Sequence, residues 1–79
     1  MPPELTWHDL NSHYTPDWWA LYAGTERVAL VQPFNGRAVV IFYLGNQPWG
    51  QRRETAASIV QGRRFAERWL APRLEAMAS

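Results

Sequence analysis

Residues 27–44, RVALVQPFNGRAVVIFYL, decide the fold. Two apolar runs flank Asn35-Gly36, and both central residues of a type I′ turn need positive φ, which Asn and Gly tolerate. The stretch therefore reads as a β-hairpin with strands over 27–32 and 38–44. A two-residue turn fixes the register: Phe34 faces Arg37, Gln32 faces Val39, Leu30 faces Ile41 and Val28 faces Tyr43. On the other side Pro33 meets Ala38, Val31 meets Val40 and Ala29 meets Phe42. Both faces of this pair are largely apolar, whereas a sheet with one wet face alternates more cleanly. One helix covers one face; the N-terminal arm, a second subunit or a partner has to cover the other.

Upstream, Trp18-Trp19-Ala20-Leu21-Tyr22-Ala23 is rich in strand-favouring aromatics and ends on a Gly24-Thr25 turn. Residues 1–17 read as an irregular arm, with Thr6 capping a single helical turn and Pro16 closing the segment. Trp7, Leu10 and Tyr14 recur at i, i+3 and i+7, an apolar stripe that lies across the core. Downstream, Gly45-Asn46 closes the third strand, and residues 51–57 read as a short fourth strand in preference to a helix start. Ser58 with Gln61 matches a capping box, which starts a helix at Ile59. Ile59, Gly62, Phe65, Ala66, Trp69 and Leu70 then share an arc of about 140°. Gly62 costs up to ~1 kcal/mol of helix propensity, offset where the helix backbone approaches the sheet closely. Pro72 removes a helix bond to Arg68, so the helix ends or kinks near Ala71 and residues 72–79 form a tail. The expected fold is α+β, an antiparallel sheet of three to four strands with one C-terminal helix packed on it.

Seventy-nine residues allow a single small domain and exclude a dinucleotide-binding fold or an α/β barrel. With 47% hydrophobic and 19% charged residues, the chain is too apolar for intrinsic disorder. Without cysteine, neither a disulfide framework nor a Cys-based zinc site exists. No membrane-length apolar run and no positively charged leader is present in the sequence, so the expected compartment is the cytoplasm. All eight cations are Arg; residues 1–48 carry net −2 and residues 49–79 net +3. That is a mild basic patch.

Little in the sequence carries chemistry. His8 and His13, near Asp9 and Asp17, lack zinc-ligand spacing and read as surface imidazoles. Ser12, Ser58 and Ser79 lie in no nucleophile-elbow context, and Glu54, Glu67 and Glu75 point to solvent. The chain is therefore expected to be no enzyme and to need no cofactor or metal. Two features remain. Trp18, Trp19, Tyr22, Phe34, Tyr43 and Trp49 exceed what one helix covers, and Arg52, Arg53, Arg63, Arg64 and Arg68 crowd the C-terminal part. Trp, Tyr and Arg are the residue types that dominate binding hot spots.

On these residues the chain resembles two groups. A short Cys-free chain closing on SIVQGRRFAERWL (residues 58–70) is similar in size and topology to small phage and prophage accessory proteins of the anti-CRISPR type. That resemblance implies an inhibitor that blocks a host defence complex by direct contact. WWALYAG (18–24), AVVIFYLG (38–45) and RFAERWL (64–70) also echo the three strands and helix of the AP2-like arm-binding domain of tyrosine recombinases. Those domains read DNA with Arg, Lys and Thr on the exposed sheet face, where this chain offers Gln32, Arg37 and Arg27. The leading expectation is a non-catalytic binding protein, encoded by a phage or mobile element, that contacts a host protein or protein complex and no membrane. Its contact residues are Trp19, Phe34, Tyr43 and Trp49, with Arg37, Arg52, Arg53, Arg64 and Arg68 at the rim. The alternatives are a DNA-binding accessory domain and a self-associating structural protein, as a homodimer.

Overall fold

The Asn35-Gly36 turn forms, with φ of 50° and 77° at its two residues. Around it the computed structural model, which describes residues 4–43 and 51–78, builds one antiparallel sheet and one helix. The strands are β1 (Leu5–Asp9), β2 (Trp19–Ala23), β3 (Glu26–Phe34), β4 (Arg37–Tyr43) and β5 (Gln51–Ala56), followed by α1 (Ile59–Ala78). Strand order in the sheet is β1-β2-β3-β4-β5, a meander in which every neighbour in sequence is a neighbour in space. The fold is α+β as expected, but the sheet has five strands where the sequence suggested three to four.

The added strand comes from the arm. Residues Leu5 to Asp9 pair with β2, Trp7 opposite Leu21 and Asp9 opposite Trp19, instead of forming a helical turn capped by Thr6. The unpaired edge of β2 takes up their backbone groups, a demand stronger than local propensity. Strand geometry also breaks the expected stripe. Trp7 packs toward the helix, Leu10 packs under the opposite face, and Tyr14 is 88% exposed. The connection back to β2 is tied by side chains: Asn11 N–H donates to Asp9 Oδ1 at 2.7 Å and Thr15 Oγ1 donates to the Leu10 carbonyl at 2.6 Å.

All the hairpin pairs from Ala29–Phe42 to Phe34–Arg37 form in the expected register. The pair Val28–Tyr43 does not. Against β2, Leu21 pairs with Ala29 and Tyr22 with Arg27, so Val28 is an extra residue on β3, a β-bulge. Val28 and Ala29 therefore both join the core under the helix. Arg27 moves to the other face beside Tyr22.

Helix α1 starts where Ser58 caps it, its Oγ accepting from Gln61 N–H at 3.2 Å. The helix crosses the face formed by Leu21, Val31, Val40 and Phe42, and buries Ala66 and Leu70 against it. Leu70 contributes about 1.5–3 kcal/mol by leaving water, and the Ala66 methyl about 0.8 kcal/mol. Gly62 makes the approach possible: a Cβ there would lie 3.1 Å from Val31 Cγ1 and 3.2 Å from Val40 Cγ2. The helix does not stop near Ala71 but runs through Pro72 to Ala78, so residues 72–78 are no tail. Arg73 supplies a reason, because its Nη1 donates to the Trp69 carbonyl at 2.8 Å, next to the backbone bond that Pro72 removes. Half-buried Leu74 holds the last turns to the core. The closing turn expected at Gly45-Asn46 lies outside the described residues.

Candidate functional site

Among the described residues no helix covers the sheet face opposite α1, and outside the packing of Leu10 and Trp18 from the β1–β2 connection that face is open. Side-chain alternation places Thr6 and His8 of β1, Tyr22 of β2 and Gln32 and Phe34 of β3 on it. Arg37, Val39, Ile41 and Tyr43 of β4 join them, with Arg53 and Thr55 of β5. Its floor is Ala20, Leu30 and Ile41, and Leu10, Trp18, Tyr22 and Tyr43 pack around that floor. Leu30 is 6% and Ile41 7% exposed although no helix covers them. Leu10, Trp18, Tyr22 and Tyr43 pack against this cluster, so the apolar centre of this face is already dry.

What the face presents outward is cationic and aromatic. At one end Arg27 lies against Tyr22, its Nη2 donating to the phenol oxygen at 3.4 Å and its Cζ 5.8 Å from the ring centroid. That hydrogen bond is the main cause that raises the Arg27 pKa above its ordinary value; partial burial opposes it, and the Tyr43 hydroxyl adds to it. His8 leans on the other side of Tyr22, with centroids 4.5 Å apart and planes inclined at 55°. At the hairpin end Phe34, 58% exposed, is paired with Arg37. At the β5 edge Arg53 stands opposite Ile41 and Thr55 opposite Val39.

No carboxylate of the described strands lies on this face. Asp9 is opposite Trp19, Glu26 opposite Ala23 and Glu54 opposite Val40, all on the helix side. The ion pair found among the described residues, Arg52 Nε to Glu54 Oε1 at 2.8 Å, is on the helix side too. Arg27, Arg37 and Arg53 are exposed, and no salt bridge to any of the three is found among the described residues.

The helix side spends its cations on tryptophan. Arg63 Cζ lies 4.1 Å from the Trp19 ring centroid and 5.0 Å from that of Trp7, and Trp7 Nε1 donates to Glu67 at 2.5 Å. Trp69 stacks on Phe42 with centroids 4.3 Å apart, and its other neighbours are Arg73 at 3.7 Å and Arg52 at 5.6 Å. These rings pack the core and its border.

The residues expected to meet a partner are therefore divided. Tyr43, Phe34, Arg37 and Arg53 share the open face. Trp19 is half-buried beneath α1 and Arg63, and Arg52 is engaged by Glu54 and Trp69 on that same side; neither belongs to one surface with the others. Arg64 and Arg68 are exposed on α1, across the sheet from the open face. Trp49 lies outside the described residues. Sequence reasoning counted Tyr22 among the surplus aromatics and Arg27 among candidates for the exposed sheet face without making either a contact residue, and it left His8 and Thr55 out. The alternation in β5 was available as a signal for Thr55, whereas the bulge that turns Arg27 outward was not.

No family model matches the chain, and neither a curated protein nor a solved structure matches it. Among the described residues no helix is long and apolar enough to cross a membrane, and no three potential metal ligands converge.

Proposed function

We propose that the protein is a non-catalytic binding protein whose working surface is the open sheet face and whose partner is a nucleic acid. One observation carries this reading: Arg27 against Tyr22, Arg37 opposite Phe34 and Arg53 opposite Ile41 share a face to which the described strands contribute no acid. Phosphates supply the opposite charge at high density, and guanidinium groups meet them in planar, bidentate fashion. The apolar contact with a host protein that the sequence suggested has less support, because Leu30 and Ile41 are shielded and Trp19 is under the helix. The cytoplasm is the compartment this reading takes.

Retention on heparin resin at low salt tests it. The protein should be retained, and Arg27→Gln/Arg37→Gln/Arg53→Gln should elute in the wash with an unchanged circular dichroism spectrum. Arg64→Gln/Arg68→Gln should elute with the unaltered protein. The reverse pattern moves the binding surface to the helix and refutes the assignment.

A second reading is favoured by Phe34 lying beside Arg37 at the hairpin end. An exposed ring next to an Arg is the pattern of a protein hot spot. It would serve contact with an acidic patch on a host defence complex, as an inhibitor of the anti-CRISPR type would make.

A further inference from the structure

Resting on the nucleic-acid reading just given, we infer that the open face binds a single strand, with bases laid against its rings and phosphates against Arg27, Arg37 and Arg53. The first support is the placing of the rings. Tyr22 and Tyr43 flank Arg27 at one end, with His8 against Tyr22, and Phe34 stands at the other. From Tyr43 to Arg37 along β4, at ~3.3 Å per residue, the face runs about 20 Å. That length takes several nucleotides. Every base has a π face, so rings spaced along a charged track hold a strand whatever its sequence.

The second support is shape. A B-form major groove about 12 Å wide admits a helix or a two-stranded ribbon. Five strands at about 4.8 Å spacing span roughly 19 Å between the outer two. The floor residues Ala20, Leu30, Val39 and Ile41 are buried, and a face five strands wide exceeds that groove. A broad sheet face suits unpaired bases, whose faces are exposed. In a duplex those faces are stacked on each other.

The third support is electrostatic. The helix side holds a Glu among its cations at each cluster, Glu67 by Trp7 and Glu54 by Arg52, and the open face has none among the described strands. A flexible strand can bring one phosphate to each of Arg27, Arg37 and Arg53 in turn.

The test is fluorescence anisotropy on the full chain. The probes are a labelled oligo(dT) of about twenty nucleotides, its duplex with oligo(dA), and poly-glutamate as competitor. The single strand is expected to bind about tenfold or more tighter than the duplex, the worth of one base–ring stack. Log affinity should fall with log salt at a slope of about −2, from about 0.7 per phosphate at three contacts. Arg53→Gln should bring that slope to about −1.4. Phe34→Leu, which keeps the bulk and loses the ring, should weaken binding severalfold with the slope unchanged. Equal or tighter duplex binding overturns the single-strand assignment and leaves the nucleic-acid reading standing. Competition by poly-glutamate as effective as by unlabelled strand, at equal charge, overturns both in favour of an acidic protein partner. If a folded protein retained on heparin binds neither DNA probe, the inference and the nucleic-acid reading both fail.

Discussion

The guanidinium carbon of Arg63 lies 4.1 Å from the centroid of the Trp19 ring. This contact joins α1 to β2 and takes a tryptophan that the sequence offered as a partner contact into the border of the core. Trp19→Ala should therefore act on stability. Truncating a half-buried Trp is expected to cost about 2–4 kcal/mol in urea unfolding. The fraction that remains folded should keep its heparin retention, because Trp19 is not on the open face.

Arg63 itself has a mixed account. Its Nε is buried without a hydrogen-bond partner, while its guanidinium gains from two indole faces. An unsatisfied buried donor costs about 1–3 kcal/mol, and a cation–π contact gives roughly 0.5–1 kcal/mol at an exposed site. Arg63→Met keeps the aliphatic packing and removes the unpaired donor, so its urea midpoint should equal or exceed that of the unaltered protein. Arg63→Ala loses the packing as well and should be lower by about 1–2 kcal/mol. A midpoint for Met as low as that for Ala would show that the charge, and not the stem, holds the indoles.

Gly62 should not tolerate a methyl group. Alanine gains up to ~1 kcal/mol of helix propensity. Its Cβ, however, would meet Val31 and Val40 at 3.1 and 3.2 Å, and both are fully buried, β-branched and stiff. Overpacking costs typically about 1–3 kcal/mol, so it wins. Gly62→Ala is expected to lower stability by about 1–2 kcal/mol, measured by chemical denaturation. A stabilised variant would mean that α1 can move off the sheet at no cost.

Past Pro72, the last turns depend on Arg73. Arg73→Ala removes the donor to the Trp69 carbonyl and the cation over the Trp69 ring. Far-UV circular dichroism should lose about one turn of helical signal, and amide exchange in residues 73–78 should quicken. Pro72→Ala restores the missing N–H and should raise the melting temperature.

The charge that Arg27 brings to the open face should be constant with pH across the neutral range. The Tyr22 hydroxyl, accepting from Arg27, raises the pKa of that guanidinium. A cation whose folded pKa lies above its unfolded one contributes fully below the unfolded value and is lost only as pH rises through the folded one. For Arg both are far into alkali. Heparin retention attributable to Arg27, the difference between the protein and Arg27→Gln, should be the same at about pH 7 and about pH 9. A fall between them would place the binding charge on a different group.

The hairpin register was legible because a two-residue turn leaves the chain one way to pair, and Ser58 was legible because a cap is a local hydrogen bond. Leu5–Asp9 was not legible as a strand. It is short, and what makes it one is the free edge of Trp19–Ala23, ten to eighteen residues away in the chain. The length of α1 was misjudged for a related reason: Pro72 alone reads as a stop, and the Arg73 side chain becomes a donor for Trp69 only once the helix exists. Of the expected contact residues, Phe34, Tyr43 and Arg37 follow from alternation on one well-read hairpin.

By itself the amino-acid sequence determined the hairpin with its turn at Asn35-Gly36, the start of the helix at Ser58, the place where the helix must come close, and a chain whose cations are all Arg. Only the tertiary structure decided where Arg27 and Arg63 go. A single extra residue at Val28 shifts Arg27 from the helix side to the open side, because side chains in a strand alternate and a slip of one reverses them. The docking of α1 likewise set Arg63 over Trp19, and Arg27, Arg37 and Arg53 are left together on a surface with no described strand carboxylate.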